Sequence, residues 1–357
     1  MAQDNIRLNE NVLIDAWKRL SVYDRTASHL KNNFVRRRRI VIYLTLTATI
    51  TSVATAISRA VLGQRDLAVI FALISIVMPL VASYMMNDIV KFTGTTAWIK
   101  YRYIAEMMRM HIYLYRMQAD IYAVGPPEKM DNLLVEKLSQ VRKEVKWDDV
   151  IPPSVSEPKT EAEVNEVIRE ANPDKDDNGL SRISVENYVK WRVDLQKDWY
   201  DNRIQEDFVR LKMFFRAGQV VLLIGALVSA IVGTYVNVYI VSLVAITNAI
   251  SASLSSLSNV SMVGKTYNIF QITSELLKDQ KTLWKSLEDD PENKDPATYA
   301  KAVSDFVTRI ENVLLWERQE WYEMALQAQA AGDKLILGDL TRLTQRAQDA
   351  QTNPLPK

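Results

Sequence analysis

The sequence predicts an all-α membrane protein with four transmembrane helices in two hairpins and long helices that project into a cytoplasmic helical bundle. Three apolar stretches without a charged residue carry this prediction, at residues 40–58, 67–87 and 217–264. One helix needs about 20 apolar residues to cross the core of a bilayer. The first two stretches therefore fit one span each, and the third fits two spans joined by a turn near Gly233. Such long uncharged runs are rare in the core helices of soluble proteins.

Composition argues against several other classes of protein. The chain has 357 residues, with 44 Lys and Arg, 43 Asp and Glu, two His and no Cys. The near-zero net charge is atypical of a general nucleic-acid-binding protein, and without Cys the residues form no disulfide, thiolate nucleophile or Cys-based zinc site. No phosphate-binding glycine motif and no hydrolase or metalloprotease motif is present. We therefore expect no enzyme activity, no cofactor and no nucleic-acid partner.

Charges beside the apolar stretches predict the orientation in the membrane. Arg36–Arg39 precede the first span, whereas Arg210, Lys212 and Arg216 precede the third. Lys and Arg remain on the cytoplasmic side of a membrane. We therefore expect a multi-pass protein of the inner (plasma) membrane with both termini in the cytoplasm. The acidic residues outside the spans lie among Lys and Arg, which favours solvated, ion-paired helix surfaces.

The order of these features repeats, which predicts a duplication. Each half has an amphipathic helix, a basic segment, two spans and a long aromatic-rich helix. Four residues after the first hairpin correspond at one constant offset to four after the second: Trp98, Tyr101, Glu106 and Tyr115 to Tyr267, Phe270, Glu275 and Trp284. The aromatic helices form either an oligomer interface or contacts within one chain.

Four segments follow from this organisation, and the boundaries are set by composition. They are a first two-span unit at 1–124 with spans near 40–62 and 67–88, a Pro-rich acidic linker at 125–180, a second two-span unit at 181–335 with spans near 214–234 and 238–262, and a helix end with a disordered tail at 336–357.

Polar residues inside the predicted spans are candidates for the wall of an aqueous pore. Their spacing of three or four residues places them on one face of each helix. They are Asn248, Ser251, Ser255 and Asn259 in the fourth span, and Thr47, Thr51 and Thr55 in the first. Two explanations remain open, because such side chains either line a water-filled path or bond their own helix and hold neighbouring helices together.

Two further features of the spans have simple physical explanations. Asp88 ends the second span at the predicted cytoplasmic mouth, where it attracts cations or pairs with Lys91. Gly225, Ser229 and Gly233 form a ridge of small residues in the third span. Such a ridge is typical of close helix packing, so we expect it to face another helix.

One segment of the predicted linker resembles the start of a calcium-binding loop. Asp174, Asp176 and Asn178 occupy its first, third and fifth positions. The loop needs a Glu at position twelve, but Val185 stands there and Glu186 follows one residue too late. An acidic turn before a helix is the alternative, and we expect no metal site.

Residues on both sides of the second hairpin form a pattern. Before it stand Tyr188–Arg192, Gln196 and Trp199–Tyr200, and after it Phe306, Glu311, Leu314, Glu317 and Trp321. This pattern resembles that of the bacterial SLATT proteins, two-transmembrane effector domains associated with nucleotide-signalling systems. The first half resembles a more divergent member, so that the chain is similar to a tandem pair. The resemblance implies a pore-forming or membrane-perturbing effector in bacterial defence, released by a nucleotide second messenger or a partner sensor.

Together these features predict an oligomeric membrane channel or pore-forming effector, gated from the cytoplasmic side, that dissipates ion gradients in bacterial defence or stress signalling. Expected partners are the lipid bilayer, further copies of the chain, and a cytoplasmic sensor protein or nucleotide second messenger. We expect a homo-oligomer because four spans with narrow polar stripes enclose no wide path. The alternative is a non-conducting membrane scaffold or anchor whose cytoplasmic helices dock partners. A membrane-bound enzyme and a secondary transporter are weaker alternatives.

Overall fold

The computed structural model describes residues 8–60, 63–88, 97–144, 155–171, 177–234, 263–288 and 295–352. Over these ranges the regular structure is helical throughout, without a strand, which confirms the all-α prediction. The helices are α1 (Glu10–Ala60), α2 (Arg65–Asp88), α3 (Ala97–Met117), α4 (Pro127–Glu144), α5 (Glu161–Ala171), α6 (Val185–Tyr188), α7 (Leu195–Thr234), α8 (Val263–Glu288) and α9 (Pro296–Thr352). A short 3₁₀ helix, Asp120–Tyr122, follows α3, and a π-helical segment, Val189–Asp194, joins α6 to α7.

Helices α1 and α2 pack against each other as the first hairpin. Both are long and apolar enough to cross a membrane, and only 18 % and 11 % of their most apolar windows are buried. A core helix of a soluble protein would instead be mostly covered. On α2, Leu73, Ile76 and Leu80 are exposed, as expected of side chains that face lipid. Two of the four predicted spans are thus candidate spans in the structure.

The second hairpin is only partly within the described residues. The predicted third span is the end of α7, where Phe215, Val220 and Leu223 are exposed. The predicted fourth span, 238–262, lies outside the described residues. The four-span, duplicated architecture therefore remains a prediction.

The other helices form a body whose core is rich in aromatic side chains. Trp17, Tyr101, Tyr188 and Phe306 are almost completely buried in it. Helix α3 packs against α1, α4 and α9, and α8 packs against α7 and α9. Helix α1 belongs to both the body and the first hairpin, since its 51 residues make a helix about 77 Å long at 1.5 Å per residue.

The segment 125–180 contributes helices to this core, so the prediction of a linker there is wrong for α4 and α5. Met130, Leu134, Leu138 and Val141 of α4 are buried at helical spacing. Pro127 is the first residue of α4, a position where proline is well tolerated because its missing N–H has no helical partner. The prolines were interpreted as loop signals, but here one of them begins a helix. Helix α9 ends at Thr352, within the segment 336–357 for which a helix end and a disordered tail are predicted.

The correspondence between the two halves holds for aromatic residues better than for charged ones. Tyr101 and Phe270, which correspond in sequence, are both buried. Glu106 is buried on α3, whereas Glu275, its counterpart on α8, is exposed. The two halves therefore share a pattern of core side chains, but the charged interior described below has no equivalent at Glu275.

Candidate functional site

An irregular helical segment begins the site. Ser184 caps α6, and its hydroxyl accepts a hydrogen bond from the Asn187 amide. The chain then continues as the π-helical segment Val189–Asp194 before α7 begins. Helices of this type are rare, occur mostly as single turns within α-helices, and are frequently found at functional sites. Here the segment holds Arg192, which is 3 % exposed, inside the body.

Arg192 forms a two-point ion pair with Glu311 of α9. Its Nε donates to Oε1 at 3.0 Å and its Nη2 donates to Oε2 at 2.9 Å. The Tyr188 hydroxyl donates a third bond to Oε1 at 2.9 Å, and the ring of Tyr113 lies 4.7 Å from the guanidinium. Burial disfavours the charge of Arg192, but the adjacent Glu311 carboxylate raises its pKa well above the usual value. Arg192 therefore keeps its positive charge inside the body.

Glu106 of α3 brings the first half of the chain to the same place. Arg109 Nη1 lies 2.5 Å from Oε1 of Glu106, and Arg102 Nη2 lies 2.9 Å from the same atom. Burial alone would raise the pKa of Glu106, but Arg109 and Arg102 together hold it far below its usual range. Arg102 also pairs with Asp24 of α1, so this charge network reaches the helix that continues into the first hairpin.

The pKa of Glu317 in α9 shifts in the opposite direction to that of Glu106. Glu317 is fully buried, and its Oε2 lies 2.9 Å from Arg318 Nε. Burial raises its pKa, and the attraction of Arg318 only partly offsets this effect, while the negative charge of Glu106 adds to it. Two buried acids of one network are thus pushed to opposite sides of their usual pKa.

The gap between these charged side chains leaves no room for solvent. Glu106, Arg192 and Glu311 line one narrow gap together with Met110, Leu314 and Leu315, and this gap has no space for a water-sized sphere. Charges in such a dry interior interact strongly, and an unpaired one is costly. The charged side chains of this region are named the buried charge cluster, which consists of Glu106, Arg109, Arg192, Glu311, Glu317 and Arg318.

Two of the three threonines predicted to line a pore in the first span, Thr51 and Thr55, bond their own helix. The Thr51 hydroxyl donates to the carbonyl of Thr47 at 2.9 Å, and the Thr55 hydroxyl donates to the carbonyl of Thr51 at 2.8 Å. This is the common behaviour of threonine inside a helix. Their hydroxyl protons are therefore engaged, and the pore-lining role of this stripe remains a prediction.

For the other predicted residues of the spans, the structure gives at most a position in a helix. Asn248, Ser251, Ser255 and Asn259 lie outside the described residues. Gly225, Ser229 and Gly233 lie within α7, and Asp88 is the last residue of α2. Their roles in packing and at the cytoplasmic mouth remain predictions.

The described part of the calcium-loop candidate forms a packed turn. The Asn178 side-chain oxygen accepts hydrogen bonds from the backbone amides of Leu180 and Ser181, each at 3.0 Å. The neighbouring Asp177 pairs with the fully buried Arg116. These bonds fix a turn against the body. Asp174 and Asp176 lie outside the described residues, and elsewhere in the described chain no three His, Asp or Glu side chains are placed to hold a metal ion.

The buried charge cluster was only partly visible in the sequence. Tyr188, Arg192, Glu311 and Glu317 stood in the pattern that carried the family resemblance. Glu106 was noted only as part of the repeat, because acidic residues were expected on solvated surfaces. The available signal was the apolar surroundings of these acids, such as Phe306 and Leu314 near Glu311.

Comparison with protein families finds two separate matches along the chain. Residues 188–321 match the model of the SMODS and SLOG-associating 2TM effector domain 1, and residues 18–129 match a model described as a protein of unknown function (DUF4231). No curated protein and no solved structure shows a significant match. The predicted SLATT resemblance is confirmed for the second half. A tandem pair is not supported, because the first half matches a different family model. Glu106 belongs to the first matched region and Arg192 and Glu311 to the second, so the buried charge cluster lies where the two regions meet.

Proposed function

We propose that this protein is an oligomeric membrane channel or pore-forming effector, gated from the cytoplasmic side, that dissipates ion gradients in bacterial defence or stress signalling. The observation that carries the proposal is the match of residues 188–321 to a two-transmembrane effector domain. The exposed apolar hairpin of α1 and α2 adds a second, independent indication of membrane insertion.

Continuous helices connect the body to the proposed spans. Helix α7 has 40 residues, which makes it about 60 Å long. It begins directly after the π-helical segment that holds Arg192, and it ends in the predicted third span. Helix α1 is tied to α3 through Asp24 and Arg102. A displacement at the buried charge cluster would therefore move both helices at their membrane ends, which is the arrangement that gating from the cytoplasm requires.

A pore built from this chain needs several copies. The narrow polar stripes of four spans leave too little polar surface for one chain to enclose an aqueous path. We therefore propose a homo-oligomer in the bilayer, with a cytoplasmic sensor protein or a nucleotide second messenger as the trigger. Because the hydroxyls of Thr51 and Thr55 bond their own helix, the fourth-span stripe around Asn248 and Ser255 is the better candidate for the wall.

Ion flux from liposomes tests the proposal. The wild type is compared with the double variant Asn248→Leu/Ser255→Leu, and the control is Thr45→Val, whose hydroxyl bonds its own helix at the carbonyl of Val41. We expect the double variant to lose flux and the control to keep it. The variant Glu311→Gln, which removes a negative charge from the buried charge cluster, should raise flux in the absence of a trigger.

The alternative function, a non-conducting membrane scaffold or anchor, predicts a different result. A scaffold gives no flux from the wild type and none from Glu311→Gln, although both insert into the liposomes. That outcome would contradict the pore. Flux that survives in Asn248→Leu/Ser255→Leu would keep the pore and move its wall to another span.

A further inference from the structure

A groove rich in lysine lies between α8 and the start of α7. Its volume is about 450 Å³, and its walls carry Lys197, Lys278, Lys281 and Lys285 together with Asp194 and Asp198. Volumes of about 300–1,000 Å³ are typical of sites for small molecules. The lysine groove, as these six residues are named here, is separate from the buried charge cluster, which is closed to water.

The charges of the lysine groove are arranged asymmetrically. Two of the four lysines are ion-paired, since Lys281 Nζ lies 2.5 Å from Oδ1 of Asp194 and Lys197 Nζ lies 2.5 Å from Oδ2 of Asp201. Lys278 and Lys285 form no ion pair with another described residue, although Lys278 attracts the Asp201 carboxylate from a longer distance. Three lysines of α8 stand at spacings of three and four residues, so their like charges repel each other along one helix face. A bound anion would relieve that repulsion.

We infer that the lysine groove binds a small soluble anion that carries two or more phosphate groups. Lysine ammonium groups bind phosphate as flexible point charges. Lys278 and Lys285 are seven residues apart on α8, which corresponds to about 10 Å along the helix. A chain of two or three phosphates is long enough to contact both ammonium groups with their side chains extended, and it carries more negative charge than a single phosphate. The carboxylates of Asp194 and Asp198 repel anions, so we expect only ligands with several negative charges to bind.

The position of the groove argues for a soluble ligand over a lipid headgroup. Helix α8 begins at Val263, directly after the predicted fourth span, and Lys278 lies 15 residues further on. This is about 22 Å along the helix, whereas the headgroup layer on one side of a bilayer is only about 5–8 Å thick. Lys285 lies further still from the membrane.

The groove also adjoins the π-helical segment, since Asp194 is its last residue. An anion held between Lys278, Lys285 and Lys197 would draw α8 towards the first turn of α7. Arg192, two residues before Asp194, is the residue that pairs with Glu311. Binding in the groove therefore acts on the same junction as the buried charge cluster, and this regulatory consequence rests on the proposed function, whereas binding itself does not.

Isothermal titration of the full chain in zwitterionic nanodiscs with inorganic tripolyphosphate tests the binding. We expect one site per chain and binding at least about tenfold weaker in Lys278→Gln/Lys285→Gln, a loss of about 1.4 kcal/mol. The matched control is Lys129→Gln/Lys301→Gln, which removes the same charge from exposed positions outside the groove and should bind as the wild type does. Equal weakening in both variants, or no binding to the wild type, would overturn the inference.

Two further experiments distinguish a soluble ligand from a lipid headgroup, and binding in the groove from the proposed channel function. Orthophosphate should bind much more weakly than tripolyphosphate, and nanodiscs with anionic lipid should leave the tripolyphosphate affinity unchanged. A large loss of affinity in anionic nanodiscs would show that headgroups occupy the groove and would contradict a soluble ligand. Binding without any effect on liposome flux would refute the regulatory role alone, and binding to a protein that never conducts would refute only the proposed function.

Discussion

Replacement of Glu311 by Gln is the sharpest test of the buried charge cluster. The substitution keeps the volume of the side chain but removes its charge and turns one acceptor oxygen into an amide donor. That amide faces the guanidinium of Arg192, which is 3 % exposed and has Glu311 as its two-point partner. The variant therefore leaves a buried cation without its counter-ion.

The size of the effect follows from the three bonds that Glu311 accepts, at 2.9–3.0 Å. Loss of one partner of a buried ion pair costs about 3–5 kcal/mol. The remaining Gln oxygen can still accept from Tyr188, so we expect about 3–4 kcal/mol. Since 1.4 kcal/mol is tenfold in an equilibrium constant, local opening should rise by about a hundredfold to a thousandfold.

Native-state hydrogen exchange measures this opening directly. We expect the amides of α6 and of α9 around Glu311 to lose protection by that factor. The control Asp15→Asn removes an exposed ion pair with Arg19 on α1, where Asp15 is 48 % exposed, and should change protection by less than about 1 kcal/mol. If Glu311→Gln changes protection as little as Asp15→Asn does, the ion pair does not hold these helices together and the reasoning fails.

Three further predictions address the rest of the structure. His111 has its pKa lowered to about 4 by burial and by the nearby charge of Lys137. Its unfolded state binds a proton more readily, so stability is fully present above pH 6.5 and falls by up to about 3 kcal/mol as the pH drops to 4. Hydrogen exchange of α3 should show this pH dependence in the wild type and lose it in His111→Gln. Leu134→Ala in α4 should cost about 2–5 kcal/mol because Leu134 is completely buried, whereas Val135→Ala, at a position that is 39 % exposed, should cost below about 1 kcal/mol; equal losses would show that α4 is not part of the core. Thr51→Val should leave liposome flux unchanged because the Thr51 hydroxyl bonds its own helix, and lost flux would place the first span in the pore wall.

The first hairpin was predictable because its signal is local and strong. Residues 40–58 and 67–87 contain no charged side chain, and length with composition is enough to expect a span. The core of the body depends on a weaker signal. Helix α4 carries Leu134 and Leu138 four residues apart, but the prolines and acidic residues around it favoured a loop. The periodic apolar stripe was the better guide there.

The buried charge cluster was not predictable in the same way. Arg192 and Glu311 are 119 positions apart in the chain, and Glu106 comes from the other matched region. Whether an acid is buried depends on which helices pack over it, and a single sequence carries no record of that pairing. The family pattern identified Arg192 and Glu311 as notable residues, but only the structure shows that they bind each other.

The chemistry of the cluster favours a role in setting the position of helices over a role in stability. Replacement of a buried ion pair by apolar side chains of similar volume is often neutral or stabilising, so stability alone does not require Arg192 and Glu311. A two-point ion pair is directional, however, and apolar contacts are not. The π-helical segment sets the angle about the helix axis at which Arg192 faces Glu311. Helix α7 continues from that segment to Thr234. A change of the segment to regular α-helix would rotate α7 relative to α9 and break the pair. The cluster therefore favours one discrete orientation of α7 relative to α9, and the proposed gate would need such a discrete state.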